Sequence, residues 1–174
     1  MKNIICLLVT FTLISNCFTQ VLTSGDYVIT LAGGGKALDA AAESMGLDDG
    51  LIQLRENNSG STQVWSVRPV SGNSYSVILK ATGKALDADG PGMYTDGGKV
   101  HLWTKREDGF KTQNWTISFA GNNSYTVVLS DGSKALDAGI SSMYQNGGIV
   151  HLWSENSGKT QQWVFTKAVP VTDG

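Results

Sequence analysis

One pentapeptide, Lys-Ala-Leu-Asp-Ala, occurs three times in the chain, at 36–40, 84–88 and 134–138. Its surroundings repeat with it. Tyr27, Tyr75 and Tyr125 each stand nine residues before the lysine, and Met45, Met93 and Met143 each stand nine after it. Gln-x-Trp closes every unit, at 63–65, 113–115 and 161–163, with two additional residues in the second unit between Trp103 and Gln113. Self-similarity of this kind means that one supersecondary unit is copied and that neighbouring copies bury a shared core. The repeats fall at about 24–70, 71–120 and 121–169.

Within a unit the pattern is that of strands and glycine-bearing turns. Tyr125, Val127 and Leu129 alternate with Thr126, Val128 and Ser130, the period of a strand with one buried face. Asp131, Gly132 and Ser133 turn the chain, and further strands are expected at 135–138, 149–153 and 161–165. Four strands in about fifty residues, taken three times, predict an all-β fold of some twelve strands. The run 40–44 is too short to nucleate a helix. Three units with no distinct capping sequence point to closure into a ring of pseudo-threefold symmetry rather than an open solenoid.

Composition narrows the function classes. Charged residues make up 16% of the chain, against about 25% in an average globular protein. The net charge is −2, or −3 once a leader carrying Lys2 is removed, and no run of lysine or arginine occurs. Nucleic acid and anionic membrane are therefore poor partners. The leader itself has a positive start, an apolar run over 4–14 and a polar stretch over 15–20, the layout of a secretory signal. Residues 1–19 are read as a signal peptide and 20–174 as one secreted, extracellular domain; lipid attachment at Cys17 is the rival reading. The apolar run is too short for membrane insertion. Cys6 and Cys17 both lie in the leader, which leaves the mature domain no disulfide and no thiol nucleophile. Sequons stand at Asn57, Asn114 and Asn122.

The repeats separate positions the fold needs from positions only some units keep. Trp65, Trp115 and Trp163 recur in all three, and Gln63, Gln113 and Gln161 are expected on the same side of the same strands, as core. In the third strand, Ile52 and Leu54, Val100 and Leu102, and Val150 and Leu152 are always apolar and point inward. The opposite parity carries Gln53 and Arg55 in the first unit, His101 and Trp103 in the second, and His151 and Trp153 in the third. A position that accepts arginine faces solvent, so both tryptophans are expected outside the core. Tyr94 and Tyr144 follow the methionine in the same two units, where the first unit has Gly46. Tyrosine, histidine and tryptophan thus read as one binding site kept twice, the alternative being an aromatic cover over the barrel end.

Three Gln-x-Trp closings at this spacing, each preceded by an aspartate strand and, in two units, by a strand ending in tryptophan, resemble the ricin-type β-trefoil lectins. The resemblance covers Tyr27 to Phe165 and implies a six-stranded barrel closed at one end by three hairpins. It also implies carbohydrate binding, with glycans or glycoconjugates as partners and no metal or cofactor. In that family the aspartate of the second strand bonds sugar hydroxyls, and a polar-x-aromatic pair supplies a hydrogen-bonding group and a stacking ring. Carried onto this chain, the set is Asp87, Tyr94, His101, Trp103 and Gln113 in repeat two, and Asp137, Tyr144, His151, Trp153 and Gln161 in repeat three. The first repeat keeps Asp39 and Gln53, but Arg55 replaces the ring, and Asp39 is open to a turn-forming role. Thr62, Thr112 and Thr160 stand where the family often has asparagine, so galactose specificity does not carry over.

Other classes fit less of the chain. An enzyme built on Asp87 and His101, or Asp137 and His151, lacks a nucleophile or second carboxylate common to both repeats. The two histidines occupy equivalent positions of different units, which keeps them from one metal. A β-trefoil proteinase inhibitor would act through one distinctive loop, and the candidate is 104–112, with Lys105, Arg106 and Phe110. A toxin or adhesin subunit with an unknown partner protein remains compatible with sugar binding.

Overall fold

The computed structural model describes residues 21–107, 110–132 and 134–169. The leader, with its signal-peptide and Cys17 readings, lies outside the described residues. So do Ser133 of the third repeat's turn and two residues of the 104–112 loop.

Twelve strands form. The first repeat supplies β1 (Gly25–Leu31), β2 (Ala37–Ala40), β3 (Gly50–Arg55) and β4 (Val64–Ser71). The second supplies β5 (Ser74–Leu79), β6 (Lys84–Ala88), β7 (Gly98–Thr104) and β8 (Trp115–Gly121). The third supplies β9 (Ser124–Leu129), β10 (Ala135–Ala138), β11 (Gly148–Trp153) and β12 (Trp163–Lys167). Pairing closes two rings. Strands β1, β4, β5, β8, β9 and β12 each pair with the next, and β12 returns to β1, so the barrel leaves no free edge among them. The hairpins β2–β3, β6–β7 and β10–β11 meet through contacts of β3 with β7, β7 with β11 and β11 with β3. A six-stranded barrel capped by a triangle of hairpins is the β-trefoil.

The repeated apolar residues explain the closure. Trp65, Trp115 and Trp163 are fully buried, and their indole N–H groups donate to Leu38 O, Leu86 O and Leu136 O at 2.9, 3.0 and 3.0 Å. Each tryptophan thereby ties a barrel strand to the hairpin of its own repeat and leaves no orphaned donor in the core. Ile52, Leu54, Val100, Leu102, Val150 and Leu152 are buried beneath the hairpins, as the alternation of the third strand requires.

Two details differ from the sequence pattern. The glutamines do not share a strand with their tryptophans: Gln113 and Gln161 end short 3-10 turns, Lys111–Gln113 and Lys159–Gln161, and Gln63 sits in a turn before β4. Period-2 reasoning fails here because the glutamine side chain, not a strand ladder, holds the approach to the barrel. Gln113 Oε1 accepts from Arg106 N at 2.8 Å and its Nε2 donates to Thr104 O at 3.0 Å, with matching contacts at Gln63 and Gln161. The outer side of β9 is also more covered than its pattern implies, since Ser124 and Thr126 are buried.

Candidate functional site

Each hairpin carries its aspartate directly opposite the polar residue of the third strand. Asp39 pairs with Gln53, Asp87 with His101, and Asp137 with His151. This register puts carboxylate and partner on one face, two residues from the position of the ring. His101 Nε2 lies 3.4 Å from Asp87 Oδ1, and His151 Nε2 lies 3.3 Å from Asp137 Oδ1. In the first repeat Gln53 Nε2 donates to Asp39 Oδ2 at 2.9 Å.

The three carboxylates are buried and are held from beneath. Thr62, Thr112 and Thr160 donate their hydroxyls to Asp39, Asp87 and Asp137 at 2.7, 3.2 and 3.0 Å. Gln63 and Gln113 add amide donors to the same carboxylates at 3.2 and 2.6 Å. Gln113 therefore lies under its aspartate, orienting it and the neighbouring loop, and Gln161, fully buried, holds its own loop through Asn156 and Ser154; neither lines an open surface. The threonines occupy one acceptor site of each carboxylate, an arrangement the sequence does not reveal.

Above the carboxylates the aromatic rings emerge. Trp153 is 40% exposed and Trp103 is half-buried, in contrast to the fully buried Gln-x-Trp rings. Each indole leans on its own histidine: the ring centroids of His101 and Trp103 are 5.3 Å apart at 33°, and those of His151 and Trp153 are 5.3 Å apart at 27°. Arg55 occupies the corresponding exposed position of repeat one. Aspartate, histidine and tryptophan thus form a compact cluster twice.

The tyrosines have partners elsewhere. Tyr94 is exposed and hydrogen-bonds Asp131 of the third repeat, whose carboxylate raises the phenol's pKa. Tyr144 packs on the first repeat at Gly34, where a Cβ would come within 3.2 Å of its ring, and Lys159 Nζ lies 3.2 Å from its hydroxyl. Each tyrosine reaches towards the repeat that follows its own.

The two histidines differ in their partners. Burial opposes charging of His101, but hydrogen bonds to Asp87 and Asp49 outweigh it and raise its pKa above the usual imidazole value. Asp49, from the loop before β3, is 2.6 Å from His101 Nδ1 and also holds the Lys99 ammonium. Sequence reasoning misses this residue, because it lies 52 positions away in another repeat.

This architecture, a trefoil whose hairpins twice set an indole beside a histidine paired with a buried carboxylate, defines the class of protein. A model of the family described as "Ricin-type beta-trefoil lectin domain-like" matches residues 11–103, more than half of the chain, and the protein belongs to that family. Solved structures agree in fold. The designed threefold-symmetric protein ThreeFoil is 27% identical, with a TM-score of 0.76 over 82% of this chain and 99% of that one. The Macrolepiota procera ricin B-like lectin, solved with lactose, is 22% identical, with a TM-score of 0.70 over 86% of this chain and 99% of its own. An exo-β-1,3-galactanase from Clostridium thermocellum is 24% identical, with a TM-score of 0.74 over 85% of this chain, but the match spans only 31% of that enzyme. No curated protein sequence matches. The fold and family are those of carbohydrate-binding lectins.

Proposed function

We propose that the protein is a secreted, non-catalytic lectin with two sugar sites, one in repeat two and one in repeat three. The observation that carries the reading is the pair of indoles outside the core, the exposed Trp153 and the half-buried Trp103, each two residues from a histidine paired with a buried aspartate. A sugar ring offers a face of C–H groups and a rim of hydroxyls. The indole face turned away from the imidazole suits the first, and burying about 100 Å² of apolar area there contributes roughly 2.5 kcal/mol. The carboxylate suits the second. The histidine–aspartate contacts of 3.3 and 3.4 Å are longer than a good N–H···O bond, so a hydroxyl entering between them exchanges a weak contact for a stronger one. A hydrogen bond to a charged group adds about 1.5 to 3 kcal/mol, and ordering the ligand removes much of this. Affinity per site is then on the order of millimolar, and two sites on one rigid body gain by avidity on dense glycans.

Repeat one retains Asp39, Gln53 and Thr62 in the same hydrogen-bonded arrangement but presents Arg55 in place of the ring. We read it as a site that lost its stacking partner. The test is retention on immobilised glycans. Trp103→Ala together with Trp153→Ala is expected to abolish retention with an unchanged melting temperature. Retention that survives the double substitution overturns the reading.

A further inference from the structure

We propose that Asp49, a residue of the first repeat, sets the specificity of the second repeat's site by acting through His101, so that the two sites select different hydroxyl arrangements. The inference rests on the lectin reading above.

Positions 49, 97 and 147 are equivalent in the fold: their backbone N–H groups donate to Leu102 O, Leu152 O and Leu54 O at 2.9, 2.8 and 2.8 Å. Gly97 and Gly147 fill two of these positions with φ of 80° and 78°, while Asp49 adopts φ 66°. This is the left-handed region, which glycine enters freely and other residues enter against steric resistance. Of the two equivalent positions that face a histidine, 49 beside His101 and 97 beside His151, only the first carries a side chain, and it reaches the imidazole.

Its carboxylate lies 2.6 Å from His101 Nδ1. On the opposite side of the ring, Nε2 faces Asp87 Oδ1 at 3.4 Å. The charged groups around His101 are Asp87 from β6, Asp49 from the loop before β3, and Lys99 from β7 itself, whose ammonium is held on Asp49; the β3 residue opposite is Leu51. An imidazole between two carboxylates is favoured in its doubly protonated form, which has donors only. His101 is also 5% exposed, and its two ring nitrogens face Asp49 and Asp87. Asp49, whose side chain is 57% exposed, adds a solvent-facing acceptor next to that imidazole at the second site.

His151 is placed otherwise. Gly97 stands where Asp49 would be, and the ring bonds Asp137 through Nε2 at 3.3 Å. No hydrogen bond reaches His151 Nδ1 among the described residues. Nδ1 of His151 is thus left to a ligand at the third site, where no neighbouring carboxylate occupies it. One site therefore presents an anionic acceptor fixed by a neighbouring repeat, the other an imidazole nitrogen of its own.

The test isolates the sites. Trp153→Ala leaves the second site alone and Trp103→Ala leaves the third, and each is profiled on an array of terminal galactose, N-acetylgalactosamine, glucose, N-acetylglucosamine, mannose and sialic acid. The two profiles are expected to differ by about tenfold in relative binding of their best ligands, the worth of one buried hydrogen bond. Asp49→Gly on the Trp153→Ala background installs the residue the sister positions already carry, and it shifts the profile towards that of the third site. Gly97→Asp on the Trp103→Ala background shifts it the other way; a Cβ at Gly97 meets nothing within 4 Å. Imidazole nitrogen shifts give a readout independent of glycans: Asp49→Gly removes one of the hydrogen bonds that raise the His101 pKa and is expected to move its titration to lower pH. Identical profiles for the two single-site proteins, or an unchanged profile after Asp49→Gly, overturn this proposal alone. Absence of glycan retention by the unsubstituted protein overturns the lectin reading and this proposal together.

Discussion

Lys84 Nζ lies 2.7 Å from Asp48 Oδ1, and this contact joins the second repeat to the first. The same oxygen accepts from Thr104 N and Thr104 Oγ1 at 2.6 and 2.9 Å. One repeat further on, Lys134 reaches Asp96 at 2.8 Å, and Asp96 accepts from Ser154 N and Oγ at 2.6 and 2.9 Å. The ring closes where Lys36 meets Asn146 at 3.1 Å and Asn146 accepts from Glu56 N at 2.7 Å. The three lysine side chains are only 13 to 17% exposed. The lysine of the repeated pentapeptide is thus a seam residue: it binds the loop of the preceding repeat at each of the three junctions.

The seam predicts an acid signature. The Lys84 amine holds the Asp48 carboxyl below its usual value of 3.8, and Lys134 does the same for Asp96. A carboxylate whose folded pKa is lowered stabilises the protein above its unfolded pKa and loses that contribution as pH falls through the folded value. Lys84→Met with Lys134→Met is expected to melt below the wild type at pH 7, with the gap narrowing once the pH drops below 3.8. A gap that stays constant down to acid unfolding contradicts the assignment.

Asp26 gives a second acid-sensitive contact, on the barrel. Hydrogen bonds from Lys80 first, then Ser66 and Arg68, outweigh desolvation and bring its pKa down to about 2. Its contribution is present above pH 3.8 and is lost as the pH falls through about 2. Asp26→Asn should cost about 1 to 2 kcal/mol at pH 7 after solvent screening, read from urea denaturation. The urea midpoints of the two proteins should converge as the pH falls below about 2.

Most of the fold was legible because the chain carries its own internal comparison. Repetition gave the twelve strands, and the arginine at position 55 revealed which parity of the third strand faces solvent. Contacts that cross from one repeat to another left no such trace. Lys36, Lys84 and Lys134 look alike, but their partners are Asn146, Asp48 and Asp96, residues of changing identity in loops of the preceding repeat. Asp49 is harder still to read, since its significance depends on two glycines elsewhere and on His101 folding against it. The glutamines were misplaced for a related reason: a side chain bonding its own loop creates a 3-10 turn that period-2 patterning does not register.

The five tryptophans should fall into two classes. Trp115 is fully buried, and Trp115→Ala is expected to cost about 3 to 5 kcal/mol through lost burial and an unfilled cavity. Trp153 at 40% exposure and the half-buried Trp103 should change stability far less when truncated. Acrylamide quenching of the native protein should find two accessible indoles, and the double substitution Trp103→Ala, Trp153→Ala should remove the quenchable fraction. Substantial quenching that survives it would mean that a Gln-x-Trp ring is reached by solvent.

Repeat one permits the converse experiment. Asp39 already holds Gln53 and Thr62 at 2.9 and 2.7 Å, so the carboxylate is positioned as in its sister repeats. Arg55 is exposed and makes no hydrogen bond or ion pair among the described residues, so replacing it removes nothing from the fold. Gln53→His with Arg55→Trp rebuilds the side chains of repeats two and three on that hairpin. The neighbouring position 147 is glycine, as position 97 is beside repeat three, so the rebuilt site should match the third repeat's ligand profile rather than the second's. Calorimetric titration with the third site's preferred sugar should show one additional equivalent per chain, with a melting temperature close to that of the wild type. An unchanged stoichiometry in a well-folded variant would show that aspartate, histidine and tryptophan on this hairpin do not by themselves make a saccharide site.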